Sequence, residues 1–195
     1  FSEVVNPSFV FKLAIIADAE LFDLLELHGA ECVGSRFQNA QSDITLDRAI
    51  AGMIKELEPN LFEEELARKV DFGHTFSYGL ETRHEANLLH GEAVLLDILL
   101  STLIARGRNL MTDDETSRVF RLTRELGFAI DASVLDPSLL CASLTERTYH
   151  RNGLQRVPMP RGIGDCAFLN DIHAAEIESA VKTLEDWMAK EYEVL

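Results

Sequence analysis

Helical periodicity runs through almost the whole chain and constrains its fold more than any other feature. After Asp18, a residue type preferred at N-caps, apolar residues recur every three or four positions along AELFDLLELHG and stop at Gly29. The same pattern predicts helices over residues 43–57, 113–127 and 174–192. The sequence therefore predicts a mainly α fold.

Two other segments refine this prediction. Residues 92–106 are apolar on nearly every side, which is typical of a helix at the centre of a core. A short β-like segment is expected near residues 154–169, where LQRVPM and CAFLN lie among prolines and glycines. We also expect a short helical turn at residues 63–70 and a helix from Asp136 to Leu144. With no repeat and no long linker, residues 1–195 are predicted to form one domain.

Composition excludes several classes of protein. The 195 residues include 18 Lys and Arg against 33 Asp and Glu, a net charge of −15, which argues against a general nucleic-acid binder. The longest apolar run, residues 93–105, is too short to span a membrane. Three cysteines without CxxC spacing indicate neither a disulfide framework nor a thiolate zinc cluster, so a reducing cytoplasm is expected. The chain begins with Phe1 and lacks signal-peptide features, so we expect it to be cut from a longer protein.

Histidines are concentrated in DFGHTFSYGLETRHEANLLHGEAV, residues 71–94, which hold three of the six. On one straight helix His74 and His90 would lie about 24 Å apart and could not share a metal ion. The polar break at residues 82–87, with His84 expected to face solvent, allows the chain to reverse. The two imidazoles could then converge within about 4 Å, with a carboxylate or water completing the metal's coordination. The alternative is two core histidines with one hydrogen bond each.

A positively charged segment, residues 147–164, follows the helices. It contains Arg147, Arg151, Arg156 and Arg161 but no Asp or Glu. Arginines with exposed backbone N–H groups suit a phosphate or carboxylate ligand. A basic surface loop that pairs with acidic helices of the same chain is the alternative.

Three strings resemble the C-terminal domain of sugar phosphate cyclases, the superfamily of 3-dehydroquinate synthase: VDFGHTFSYGLE, LLHGEAVLLDILL and YHRNGLQRVPMPRGIGDCAFLND. The likeness covers residues 10–184 and looks greatest for the 2-epi-5-epi-valiolone synthases. The related desmethyl-4-deoxygadusol synthases typically have HGHAV where residues 90–94 read HGEAV. The resemblance implies a helical, metal-binding C-terminal domain, whose N-terminal NAD-binding partner domain is absent from this chain.

The resemblance also implies site residues, carried over motif by motif. His74 and His90 match two ligands of a Zn²⁺ (or Co²⁺) ion. The implied catalytic residues are Lys12, Asp71, His74 and His90, and the implied substrate contacts are Lys12, Asp71, Tyr78, His150, Arg151 and Arg156. Tyr78 stands where dehydroquinate synthases carry a second histidine, which argues against that activity.

One position departs from the family pattern. The third zinc ligand of the family is a glutamate three residues before the matched lysine, and here that position is Phe9. Glu3 could replace it only if the helix register slipped by six residues. Glu81 and Glu92 are nearer candidates, either as ligands or as partners that orient a histidine. Either another carboxylate completes the site, or this copy has lost activity.

The function implied by the resemblance is cyclisation of sedoheptulose 7-phosphate with loss of phosphate, using NAD and zinc. Such an enzyme is a carbon–oxygen lyase of secondary metabolism, a cytoplasmic homodimer with an apolar surface facing the missing domain. The alternatives are a catalytically inactive cyclase-like module, a 3-dehydroquinate synthase and a glycerol dehydrogenase-like enzyme. The HRNGLQR loop and the HGEAV motif argue against the last of these.

Overall fold

A computed structural model describes residues 7–82, 88–128 and 130–192 of the chain. Within these ranges the chain forms eight α-helices and one two-stranded sheet, which confirms the mainly α prediction. The elements are α1 (Pro7–Ile16), α2 (Ala19–Gly34), α3 (Ala40–Leu57), α4 (Ser77–Glu81), α5 (His90–Gly107), α6 (Asp113–Glu125), α7 (Pro137–His150), β1 (Val157–Pro160), β2 (Cys166–Leu169) and α8 (Ala174–Tyr192). Short 3₁₀ turns lie at Glu58–Asn60, Lys69–Asp71 and Ala132–Val134.

Helix α5 is the centre of the molecule, as its all-round apolar sequence predicts. Every residue from Ala93 to Ala105 is buried, and α1, α4, α6, α8 and β1 all pack against it. Most buried apolar side chains, from Val10 on α1 to Leu184 on α8, belong to one continuous cluster. Removing this apolar surface from water is the main favourable contribution to the stability of the fold.

Local capping interactions set several helix boundaries. The Asp18 carboxylate accepts the backbone N–H of Leu21 at the start of α2, and Thr112 with Glu115 forms a capping box at the start of α6. The Asp136 carboxylate accepts the N–H of Ser138, so α7 begins as predicted. It continues to His150, beyond the predicted end at Leu144.

Two other predicted features are wrong. Gly29 does not end α2, which continues to Gly34. Gly29 is instead a packing position, because a Cβ there would lie 2.6 Å from Leu126 Cδ2. Residues 63–70 do not form a helical turn beyond the start of the 3₁₀ turn at Lys69. The Asn60 side chain bonds the backbone N–H and C=O of Glu65, which satisfies groups that a helix would otherwise pair.

Helix α3 leaves much of its apolar side exposed. A surface helix normally buries that side, but the residues of α3 that are buried are Ser42, Thr45 and Ala49. The exposed apolar side chains on and just after the helix are Ile44, Ile50, Ile54, Leu57, Leu61 and Phe62. This surface has the character expected of one that contacts another domain or subunit.

The two strands form an antiparallel hairpin, which confirms the predicted β-like segment. Val157 pairs with Leu169 and Pro160 pairs with Cys166. Strand β1 is buried against the helical core, whereas β2 is only partly buried. Among the described residues, the helices are all too short or too polar to cross a lipid bilayer.

Candidate active site

Lys12 lies on the buried side of α1 and points at the segment before α4. Its ammonium group donates to the carbonyl of Val70 at 2.8 Å and lies 3.2 Å from His74 Nε2. Burial lowers the pKa of Lys12 to about 8, partly opposed by the negative charges of Asp71 and Asp97. The first helix therefore places a cation directly against a predicted metal ligand.

A glycine turn brings His74 beside α5. Gly73 has a φ of +81°, and a Cβ at this position would lie 2.9 Å from Val94 Cγ1. The N–H of His74 then donates to the carbonyl of Asp71 at 2.9 Å. Only glycine combines this left-handed backbone with so close an approach to the helix. This explains why a glycine directly precedes His74.

The imidazoles of the two predicted metal ligands are stacked face to face despite the 16 residues between them. The ring centroids of His74 and His90 are 5.5 Å apart, with 15° between the ring planes. His74 is mostly buried, whereas His90 is the exposed first residue of α5. The segment just before α4 and the first residue of α5 therefore meet at one place.

The nearby glutamates have different roles. Glu81 Oε1 lies 3.0 Å from His90 Nδ1, the arrangement in which a carboxylate orients an imidazole. Glu92 Oε2 accepts the N–H of Leu89 and caps α5. Glu3 and His84 lie outside the described residues. Within the described ranges, no group of three or more His, Cys, Asp and Glu side chains is arranged to hold a metal ion.

Asp71 is buried and surrounded by arginines. Its Oδ1 accepts from Arg68 Nη2 at 2.7 Å, and its Oδ2 accepts from Arg147 Nη2 at 3.4 Å and from Arg151 Nη2. Burial lowers the pKa of Arg147 in spite of this carboxylate. With Lys12 nearby, positive charges outnumber negative ones around a single carboxylate, in a chain whose net charge is −15.

A cavity of about 380 Å³ opens beside this cluster. Of the predicted site residues, His74, Tyr78, His150 and Arg151 line it. Its other lining residues are Arg147, which was predicted only as part of the basic segment, and Thr75, Ser143 and Glu146, which were not predicted as site residues. Arg147 had a sequence signal, since it begins the basic segment; the other three had none.

The arginines of the basic segment, residues 147–164, serve both of the roles considered for it: some line the cavity and others pair with acidic residues of the chain. Arg147 and Arg151 contact Asp71 and line the cavity. Arg156 pairs with Glu65 at 3.0 Å, and Arg161 pairs with Asp165 at 2.7 Å. The structure therefore places Arg156, a predicted substrate contact, in an ion pair rather than at the cavity wall.

His74 is expected to remain uncharged in mildly acidic solution. Burial, with smaller contributions from Lys12 and His90, lowers its pKa from 6.5 to about 4. Between these values the unfolded chain binds more protons than the folded chain, so stability falls as the pH drops from 6.5 towards 4, by on the order of 2 kcal/mol. Urea unfolding across this pH range and NMR titration of the His74 ring measure the effect. A His74→Gln variant should lose this part of the pH dependence; a ring that titrates near 6.5 would contradict the prediction.

Comparison with known proteins gives a consistent family. The protein-family model described as "3-dehydroquinate synthase C-terminal" matches residues 8–148 of this chain. A 2-epi-5-epi-valiolone synthase of Streptomyces hygroscopicus subsp. jinggangensis is 45% identical over 183 residues, covering 91% of this chain and 44% of its own length. One from an Actinomyces species is 42% identical over 183 residues, covering 91% of this chain and 48% of its own length.

A solved structure shows the same likeness. It is the 2-epi-5-epi-valiolone synthase ValA of Streptomyces hygroscopicus subsp. jinggangensis, with NAD⁺ and Zn²⁺ bound. It is 46% identical with a TM-score of 0.88, and the match covers 92% of this chain and 50% of that one. The chain thus spans about half the length of the relatives it matches.

Proposed function

The chain belongs to the family of 3-dehydroquinate synthase C-terminal domains. From this membership we propose that it is the half of a sugar phosphate cyclase that holds the metal ion and the substrate. The proposed type is a 2-epi-5-epi-valiolone synthase, the activity named for its relatives at 42–45% identity. Such an enzyme would cyclise sedoheptulose 7-phosphate and release phosphate, as a carbon–oxygen lyase. The observation that carries the proposal is the convergence of His74, His90 and Lys12 beside an arginine-rich cavity.

The charge at the cavity supports an anionic substrate. Arg151 Nε is buried and has no hydrogen-bond partner among the described residues, although Arg151 Nη2 donates to Asp71. An unpaired buried donor is costly unless a ligand or water accepts from it. Arg147 and Lys12 add positive charge close by. Phosphate and polar sugar oxygens are acceptors of the kind these donors require.

The residues present fit a metal ion only in part. His74 and His90 would hold it, and Glu81 would keep His90 oriented, but Phe9 supplies no third ligand. A bound zinc ion would supply Lewis-acid chemistry at a substrate hydroxyl, and NAD held by the partner domain would supply the redox chemistry. Lys12, with its pKa near 8, would hold an oxygen of the substrate and could exchange a proton with it near neutral pH.

The NAD-binding half is assigned to a partner domain outside this chain, because the relatives are about twice as long. The exposed apolar side of α3 is consistent with such a partner. The proposal also includes a homodimer and a cytoplasmic location, and both rest on the family resemblance alone.

A second candidate is a cyclase-like module without catalytic activity. The observation that favours it is Phe9 at the position of a metal ligand, together with the lack of any three-residue donor group within the described residues. The dehydroquinate synthase alternative has less support, because Tyr78, exposed at the cavity, replaces the histidine of those enzymes.

Phosphate release tests the two candidates. The full-length protein, supplied with Zn²⁺, NAD⁺ and sedoheptulose 7-phosphate, is expected to liberate inorganic phosphate and a cyclised product detectable by mass spectrometry. His74→Ala and His90→Ala variants should lose this activity while remaining folded. If the unaltered protein stays inactive at saturating zinc while a valiolone synthase relative is active in the same assay, the non-catalytic module is the better description.

A further inference from the structure

Asp97 is a charged residue in the middle of the most apolar helix of the molecule. It lies on α5 and is 0% exposed. A buried carboxylate is costly unless several hydrogen bonds compensate it, so the partners of Asp97 indicate what it is for. Asp97 does not line the cavity, and its negative charge near Lys12 does not explain its position.

The partners of Asp97 are the backbone N–H groups that directly follow His74. Its Oδ2 accepts from Thr75 at 2.7 Å, from Ser77 at 2.9 Å and from Phe76, while Ser101 Oγ donates to Oδ1 at 3.2 Å. The three N–H groups open helix α4, which has no side-chain cap of its own. Asp97 therefore takes the place of an N-cap from a different helix.

Asp97 lies on the same helix as His90 and binds the backbone that follows His74. His90 is the first residue of α5, and Asp97 lies seven residues later, two turns along the same face and about 10 Å further on the helix axis. Helix α5 thus carries the His90 imidazole itself, and through Asp97 it also holds the backbone that follows His74. The N–H of His74 is held separately by the carbonyl of Asp71, at 2.9 Å.

We propose that Asp97 is a positioning residue that sets the spacing of His74 and His90 by gathering the three N–H groups of residues 75–77. This inference rests on the proposed function, in which the two imidazoles share a metal ion. It adds a residue that contacts neither ring and acts only through the backbone after His74.

Cu²⁺ is the suitable probe, because it binds nitrogen ligands more tightly than other divalent first-row metals and its EPR spectrum reports how many imidazoles coordinate it. In the full-length protein, the spectrum should show two imidazole nitrogens, and His74→Ala or His90→Ala should remove one. Asp97→Ala should also lose the two-imidazole spectrum and weaken binding by about 10- to 100-fold, as loss of an outer partner of a metal site does. Asp97→Asn should largely restore both, since its amide oxygen can accept the same N–H groups while its NH₂ faces Ser101.

A matched control separates this role from general destabilisation. Thr102 is also buried on α5, and its hydroxyl donates within the helix to the carbonyl of Ile98. Thr102→Val should leave the spectrum unchanged. If Asp97→Ala fails to fold, Asp97→Glu is the second variant. It keeps the charge but adds one methylene, which should displace the backbone of residues 75–77 and alter the spectrum.

The outcomes distinguish the two levels of the proposal. A wild-type spectrum and affinity in Asp97→Ala or Asp97→Glu would overturn the positioning role alone. Absence of two-imidazole coordination in the unaltered protein would overturn the proposed metal site, and the positioning role with it.

Discussion

Replacing Phe9 by Glu is expected to tighten zinc binding by about 100-fold or more. Phe9 lies on α1 one turn before Lys12, so the two side chains share a face of the helix. Lys12 reaches His74 Nε2 at 3.2 Å, which places this face of α1 against the His74 imidazole. A carboxylate at position 9 would add a third ligand, and a charged one, to two neutral imidazoles, whereas loss of even an outer partner typically costs about 10- to 100-fold.

Competition with a chelator of known zinc affinity, at fixed pH, measures this change. Phe9→Gln is the matched control, because it has nearly the same shape as the glutamate but lacks the charge of a carboxylate ligand. The two variants should therefore differ in zinc affinity. Equal affinities for Phe9→Glu and Phe9→Gln, or no change from the unaltered protein, would show that position 9 does not face the ion.

The same variant separates the two candidate functions. If phosphate release rises together with zinc affinity, the remaining site is competent and the loss at position 9 limits it. If zinc binds tightly but no phosphate appears, the site has diverged beyond the missing ligand. The arginines around the cavity would then serve binding rather than catalysis.

Asp71→Ala is expected to destabilise the folded chain by about 3–5 kcal/mol, the usual cost of breaking a buried ion pair. The side chains of Asp71 and Arg147 are 7% and 8% exposed, so water cannot replace the lost carboxylate. Arg68 and Arg151 would lose the same partner, and Lys12 would lose the negative charge that supports its ammonium. Several cations would then face each other in a partly dry space.

Urea unfolding at neutral pH measures this loss. Asp71→Asn should fall between Asp71→Ala and the unaltered chain, because it keeps hydrogen-bond acceptors but removes the charge. Arg161→Ala is the surface control: the Arg161–Asp165 pair is more than half exposed on both sides, so its removal should cost at most about 1 kcal/mol. Similar losses for Asp71→Ala and Arg161→Ala would mean that the arginine cluster is better solvated than its burial indicates.

Much of the helical framework could be predicted because its causes are local. The caps at Asp18 and Thr112 act within three residues, and the all-round apolar pattern of α5 leaves little choice but the centre of the core. Gly29 misled the prediction because a glycine can end a helix or admit a close neighbour, and only the position of Leu126 decides between these roles. An exposed apolar surface was expected, but its location on α3 could not be foreseen, since periodicity identifies a face but not what covers it.

The candidate site divides in the same way. Motifs identified His74, His90 and Lys12 one by one, and the Phe9 departure was visible without coordinates. Only the folded chain brought Lys12 to His74, across 62 residues, and enclosed Asp71 among arginines from distant segments. Helix periodicity and capping depend on residues three or four apart, so they are present in the linear order of the chain. With 33 acidic side chains available to 18 basic ones, the choice of partner depends on packing and burial, which exist only once the helices have assembled.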